Sequence, residues 1–194
     1  MKITLVAPKS ISEGDYRFDY GYWNFYLPLL SMGHDVHFFD TTKLGNKDLK
    51  VHIDNFKPEL LFCIMTDSPH YCPDEPWETI EEETNKGNIK TFNWFCDDSW
   101  RFNNFSSKAC HVFNYCSTPE KRFVDKYKEI GYSNIQYASW HANSELYSTL
   151  ESESPQRALS FVGAIRGDRK DAISLLESKG QQVYVPKDTS FEGM

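Results

Sequence analysis

The sequence predicts an α/β protein: a Rossmann-like parallel sheet with helices on both faces, followed by the first βαβ unit of a second such domain. Three observations carry this expectation. Short apolar runs of strand character alternate with segments of helical period from Lys2 to Ser139, the signature of a parallel sheet wrapped by crossover helices. One of these runs, Glu59–Met65, is nearly all apolar, as a strand buried on both faces requires. A polar stretch, Glu151-Ser152-Glu153-Ser154-Pro155-Gln156, then interrupts the pattern before it resumes. The expected division is therefore residues 1–150 as the first domain and 151–194 as a linker with an incomplete second one.

In chain order, Lys2–Ala7 reads as the first strand. Tyr22, Trp23, Phe25, Tyr26, Leu29 and Leu30 then recur at helical spacing, with Gly33 as a stop and Pro28 expected to bend the helix. Asp35–Asp40 is a second strand, Asn46–Phe56 a helix and Glu59–Met65 a third strand. A loop with three prolines spans Thr66–Trp77, and an acidic helix follows from Glu78 to about Lys86. Ile89–Phe95 gives a strand, Cys96–Ser99 a turn, Trp100–Ser106 a short helix and His111–Ser117 another strand. Thr118-Pro119-Glu120 opens a helix that runs to Gly131, because it supplies an N-cap, a first-turn proline and an acid suited to the helix dipole. Asn134–Ser139 completes six strands. Beyond the polar stretch, Ala158–Val162 is strand-like, Gly163–Asp168 a glycine-containing loop, Arg169–Ser178 an amphipathic helix and Gln182–Val185 a strand.

Bulk properties narrow the function classes. A formal net charge of −7, with no dense basic run, argues against a nucleic-acid surface, which needs clustered Lys and Arg. The N-terminal apolar run is too short for a signal peptide or a membrane span. Five cysteines without a CxxC pair suit a reducing cytoplasm. The six histidines show no HxH or HxxxH spacing, so no metal site is expected. Five Trp, eleven Tyr and fourteen Phe point either to an aromatic-rich core, the reading for most of them, or to a cleft lined with rings that stack on a flat ligand.

Ligands of open parallel sheets bind beyond the carboxyl ends of the strands, so the residues that follow each strand are the candidates. After the first strand, Tyr20 and Gly21 would frame an acceptor pocket or belong to an ordinary surface loop. After the third, Asp67 would take hydroxyl hydrogen bonds or cap a turn. After the fourth, Asp97, Asp98, Trp100 and Arg101 form the densest mixture of acids, rings and a guanidinium in the chain, although successive side chains should diverge. After the sixth, Trp140 offers a stacking face, His141 a group that titrates near neutrality, and Asn143 an amide. In the second unit, Gly163, Arg166, Gly167 and Arg169 precede a helix, an arrangement suited to a phosphate. The alternative is a tight strand-to-helix turn with solvated arginines.

Taken together, these segments resemble the CgeB-like glycosyltransferases, named after a spore-maturation protein and related to bacterial enzymes of the two-domain GT-B architecture. The resemblance rests on Tyr20–Leu29 with Gly33–Val36, on Phe56–Phe62, on Asn93–Phe102, and on Ser160–Gly163 with Gly167-Asp168-Arg169. It implies transfer of a sugar from a nucleotide-sugar donor, which is a substrate and not a resident cofactor, to an acceptor glycan, protein or small molecule. It also implies that the first domain meets the acceptor, that Gly163, Arg166, Gly167 and Arg169 lie near the donor diphosphate, and that no metal is needed. The candidate bases are Asp97, Asp98 and His141. Because family members continue past this chain's last residue, the donor-side domain is expected to be incomplete. A non-catalytic carbohydrate- or protein-binding module derived from such an enzyme is the alternative.

Overall fold

Six strands pair entirely in parallel, in the spatial order β2-β1-β3-β4-β5-β6. They are β1 (Lys2–Ala7), β2 (Asp35–Asp40), β3 (Leu60–Cys63), β4 (Lys90–Trp94), β5 (Tyr115–Thr118) and β6 (Ile135–Tyr137). The computed structural model describes residues 1–10, 18–68, 70, 72–146, 159–163, 165 and 167–185. The chain divides into two compact units, Met1–Tyr147 and Ser148–Met194. The boundary expected near residue 150 lies outside the described residues, as do most of the polar stretch's neighbours.

In the first unit the chain steps from β1 outward to β2, then crosses back over β1 to β3 and continues to β6. The strand order therefore reverses between β1 and β3, and a doubly wound sheet opens its ligand crevice at such a reversal. Strand alternation divides the core in two. On one face Val6, Phe39, Leu61, Cys63 and Cys116 meet helices α2 (Asn46–Phe56), α3 (Trp77–Lys86), α4 (residues 98–112) and α5 (Phe123–Glu129). On the other, Ile3, Leu5, Ala7, Val36 and Trp94 pack against helix α1 (residues 22–31) through Phe25. Helices thus flank both faces, as the sequence predicts.

Helix α1 departs from regular α geometry in the turn that precedes Pro28. Its first part, Tyr22–Tyr26, is π-helical and continues as α-helical Leu27–Ser31. Proline has no N–H, so Pro28 offers no donor to the Asn24 carbonyl, its α-helical partner, or to the Trp23 carbonyl, its π-helical partner. Both are met from outside. His141 Nε2 lies 3.0 Å from the Asn24 carbonyl, and Asn143 Nδ2 donates to the Trp23 carbonyl at 3.1 Å. Just before the proline the helix changes from π to α, and the turn is tethered from outside.

Helix α4 is longer than the sequence predicts. Asp98–Arg101 is α-helical, Phe102–Ser106 a π segment, Ser107–Ala109 α-helical and Cys110–Val112 a 3₁₀ turn. The expected strand at His111–Ser117 therefore begins only at Tyr115. Apolar runs of this length fit either state, and the helix continues because Ala109 and Cys110 bury against the core. Helix α5 likewise starts at Phe123, not at Thr118. The Thr118 hydroxyl still accepts from Glu120 N–H, at 3.3 Å, but within a turn that precedes the helix.

The second unit is a small βαβ: β7 (Leu159–Ser160) and β8 (Val183–Tyr184) pair in parallel around helix α6 (Arg169–Ser178). None of its described residues is fully buried. Among the described residues no helix is long and apolar enough to cross a membrane, and all five cysteines are free thiols.

Candidate functional site at the carboxyl edge of the sheet

Two groups of side chains assemble beyond the carboxyl ends of the strands, one on each face. The first lies on the α1 face. Tyr20 stacks on Trp94 with ring centroids 5.7 Å apart and an interplanar angle of 15°. Trp140 sets its edge against both, at 5.1 Å from Tyr20 and 4.8 Å from Trp94. The His141 ring stands edge-on to Phe25 at 4.5 Å. The Tyr20 hydroxyl donates to the His141 carbonyl and accepts from His141 N–H at 3.2 Å, which fixes the segment after β6 over the end of β1. Trp140 and His141 remain exposed, while Trp94 is buried.

The Pro28 effect on α1 also sets the chemistry of His141. A carbonyl oxygen only accepts, so the contact with Asn24 makes Nε2 the protonated nitrogen in the neutral ring and leaves Nδ1 as the acceptor. A hydroxyl that reached Nδ1 would meet a base held in one tautomer and orientation.

Asn143 does not face a ligand. It is 7% exposed; its N–H donates to Asn24 Oδ1, its Nδ2 to the Trp23 carbonyl, and its Oδ1 accepts from Glu145 N–H. The sequence expectation of a binding amide is thus corrected to a structural tie. Gly21 is likewise a packing position: a Cβ there would stand 3.2 Å from Ile64 Cδ1.

The second group surrounds the end of β3 on the opposite face. Asp67 has φ 50°, in the left-handed region. Its peptide group is gripped from both sides. Glu75, 7% exposed, accepts from Thr66 N–H at 2.6 Å, Thr66 Oγ1 at 2.8 Å, Asp67 N–H at 2.9 Å and Trp77 Nε1 at 3.1 Å. Arg101 donates to the Thr66 carbonyl, and its guanidinium lies 4.3 Å from the centroid of the Phe105 ring. Burial pushes the Glu75 carboxyl above its ordinary pKa, against the opposing pull of the bonds from Thr66, Asp67 and Trp77. Glu75 is a residue that sequence reading missed. Its only signal is an acid between two prolines, Pro73-Asp74-Glu75-Pro76, in the loop after an apolar strand.

Asp97 and Asp98 diverge, as adjacent residues do. Asp98 is fully buried, and its Oδ2 accepts from Tyr127 Oη at 2.9 Å. Burial takes it out of reach of an acceptor at the surface, which corrects its expectation as a base. Asp97 stays half-buried at the start of α4, beside Cys96, whose thiol is pushed up to about 11 by burial and then by the Asp97 charge. Arg101 bonds to Thr66 and to Cys96 Sγ at 3.9 Å, so its role is in the Asp67 grip and not in neutralising the two acids. Trp100 is 69% exposed, with its ring 5.5 Å from the Arg101 guanidinium.

In the second unit, Gly163 and Gly167 both take positive φ, 142° and 58°, so the turn before α6 requires them. The Arg169 guanidinium sits 6.0 Å from the centroid of the Phe161 ring. Arg166 lies outside the described residues. Among the described residues no cluster of three or more His, Cys, Asp or Glu is arranged to hold a metal ion.

No protein-family model matches the chain, and a search of curated proteins finds no match.

Proposed function

We propose that this chain is the acceptor-side part of a GT-B type glycosyltransferase, transferring a sugar from a nucleotide-sugar donor to an acceptor hydroxyl. The observation that carries the reading is the exposed Trp140–His141 pair above Tyr20 and Trp94 at the carboxyl edge. Aromatic faces suit the apolar side of a sugar ring, and an oriented imidazole with Nδ1 open suits removal of a hydroxyl proton. In this reading His141 is the base and Asp97 the nearest alternative. In the same reading Gly163, Gly167 and the start of α6 receive the donor diphosphate at a helix N-terminus, with Arg169 as a cationic neighbour.

A binding module without catalysis is the second reading. It is favoured by one observation: the second unit buries none of its described residues, so it supplies little of the core that a donor-binding domain needs.

The experiment is nucleoside-diphosphate release and product formation with a panel of nucleotide sugars and glycoside acceptors. Under the glycosyltransferase reading, His141→Ala lowers kcat by about 100-fold or more with an intact fold. Absence of turnover with every donor, together with no donor-induced shift in melting temperature, rejects it in favour of the binding module.

A further inference from the structure

The gripped Asp67 borders a feature that the His141 cluster does not use. A cleft of about 310 Å³ opens between the β3 loop and helix α4, lined by Asp67, Trp77, Asn104, Phe105 and Lys108. A second, smaller cavity of about 160 Å³ shares Asp67 and Trp77 with it and reaches Glu75. Helix α4 brings Asn104 and Lys108 to one wall at a spacing of four residues, within and just beyond its π segment Phe102–Ser106. Such π segments recur at functional sites.

We infer that this cleft is a saccharide-binding subsite that takes a single neutral pyranose ring. Trp77 provides the flat apolar wall on which a sugar's C–H face stacks, and its Nε1 is already held by Glu75, so the ring cannot swing away. Asp67 and Asn104 provide an acceptor-only group and a mixed donor–acceptor group, the set needed for neighbouring hydroxyls. Lys108 adds a donor that balances the Asp67 charge. An anionic sugar would face Asp67 within a chain of net charge −7, which is why a neutral ring is the better occupant. Among the described residues no hydrogen bond or ion pair occupies the side chains of Asp67, Asn104 and Lys108.

The backbone argues the same way. Among the described residues the non-glycine residues with positive φ are Lys57, which closes helix α2, and Asp67. Nothing at Asp67 requires a helix cap. Two charged groups, one of them nearly buried, instead hold an unfavourable conformation that delivers a carboxylate to the cleft rim. The cleft's volume is at the lower end for small-molecule sites, suited to one sugar ring and too small for a whole nucleotide sugar. The subsite rests on the sugar-handling part of the proposed function, and it assigns the acceptor as a glycan.

The test is ¹⁹F NMR of the full chain labelled with 5-fluorotryptophan, titrated with the methyl glycosides of glucose, galactose, mannose and N-acetylglucosamine. Trp77→Phe assigns the Trp77 signal. The expected result is a saturable shift of that signal with at least one glycoside. Asp67→Asn, which tolerates the left-handed conformation, should weaken that binding about tenfold at an unchanged melting temperature. A shift confined to other tryptophans, no response to any of the four, or unaltered binding by Asp67→Asn overturns the inference. Turnover in the transfer assay with a silent Trp77 removes this subsite and leaves the glycosyltransferase. A Trp77 response without turnover leaves the subsite and removes the enzyme.

Discussion

At the scale of single residues, polar groups inside the fold do most of the positioning. Asn143 joins the segment after β6 to α1 through its Nδ2, which donates to the Trp23 carbonyl, and its backbone N–H, which donates to Asn24 Oδ1. Asn143→Ala should cost about 1–3 kcal/mol by urea unfolding and also release His141, so that activity falls although no contact with substrate is lost. His52 gives a second test. Its Nε2 lies 2.8 Å from Thr4 Oγ1, and its ring centroid is 4.2 Å from that of His37, with the rings tilted by 31°. Burial, and then the nearby His37, lower its pKa to about 4. A base whose folded pKa is depressed binds fewer protons in the folded state. Its contribution is therefore present above the unfolded value near 6.5 and is lost as pH falls towards 4. Asp19 and Glu75, both raised by burial, act in the opposite direction over part of this range. The comparison that isolates His52 is wild type against His52→Gln: the wild type should lose more stability between pH 6.5 and pH 4.5, read from urea midpoints.

At the scale of elements, irregular backbone coincides with the candidate site. Both π segments, Tyr22–Tyr26 and Phe102–Ser106, follow loops at the carboxyl edge, and the left-handed Asp67 lies between them in sequence. Glycine adopts this conformation without the steric cost of a Cβ. Asp67→Gly should therefore hold or raise stability, by up to about 1 kcal/mol, while abolishing saccharide binding. A melting temperature well below wild type would show that the Asp67 carboxylate is structural. Another open surface of the sheet is of a different kind. A groove of about 530 Å³ runs over the amino-terminal halves of β3–β6 on the α1 face, lined by Leu60, Phe62, Phe92, Tyr115 and Ile135. Helix α1 packs against β2 and, through Phe25, near Phe62, and Tyr115 at the start of β5 is exposed. The groove's polar lining is Ser133, Asn134 and Gln136, with no carboxylate or basic side chain among the lining residues.

At the scale of the molecule, both core clusters are drawn wholly from the first unit. A chain ending at Tyr147 should therefore melt in one cooperative transition, with near-UV circular dichroism retained. Loss of cooperativity on removing residues 148–194 would show that the sheet depends on the second unit. The same division bears on activity, because the proposed base and the glycine turn for the donor lie in different units.

Much of this was legible in the sequence. Apolar runs such as Leu60–Cys63, which burial on two faces demands, and helical periods mark most strands and helices, whereas the run from His111 joins helix α4 before β5 begins at Tyr115. The strand-end rule also names Asp67, Trp140 and His141, and these residues do lie beyond the carboxyl ends of the strands. Local pattern could not decide which way adjacent side chains point. Asp98 buries beneath Tyr127 while Asp97 stays nearer the surface, and Asn143 turns inward to α1, because neighbours distant in sequence supply their partners. Strand order, and with it the reversal between β1 and β3, is likewise set by which strands pair and not by composition. Glu75 gave almost no signal, since its importance comes from four donors that meet only in the folded loop. The sequence by itself determined the alternation of elements and the chemistry available at their ends. Tertiary structure alone decided which of those groups converge, because convergence depends on long-range pairing that no local period encodes.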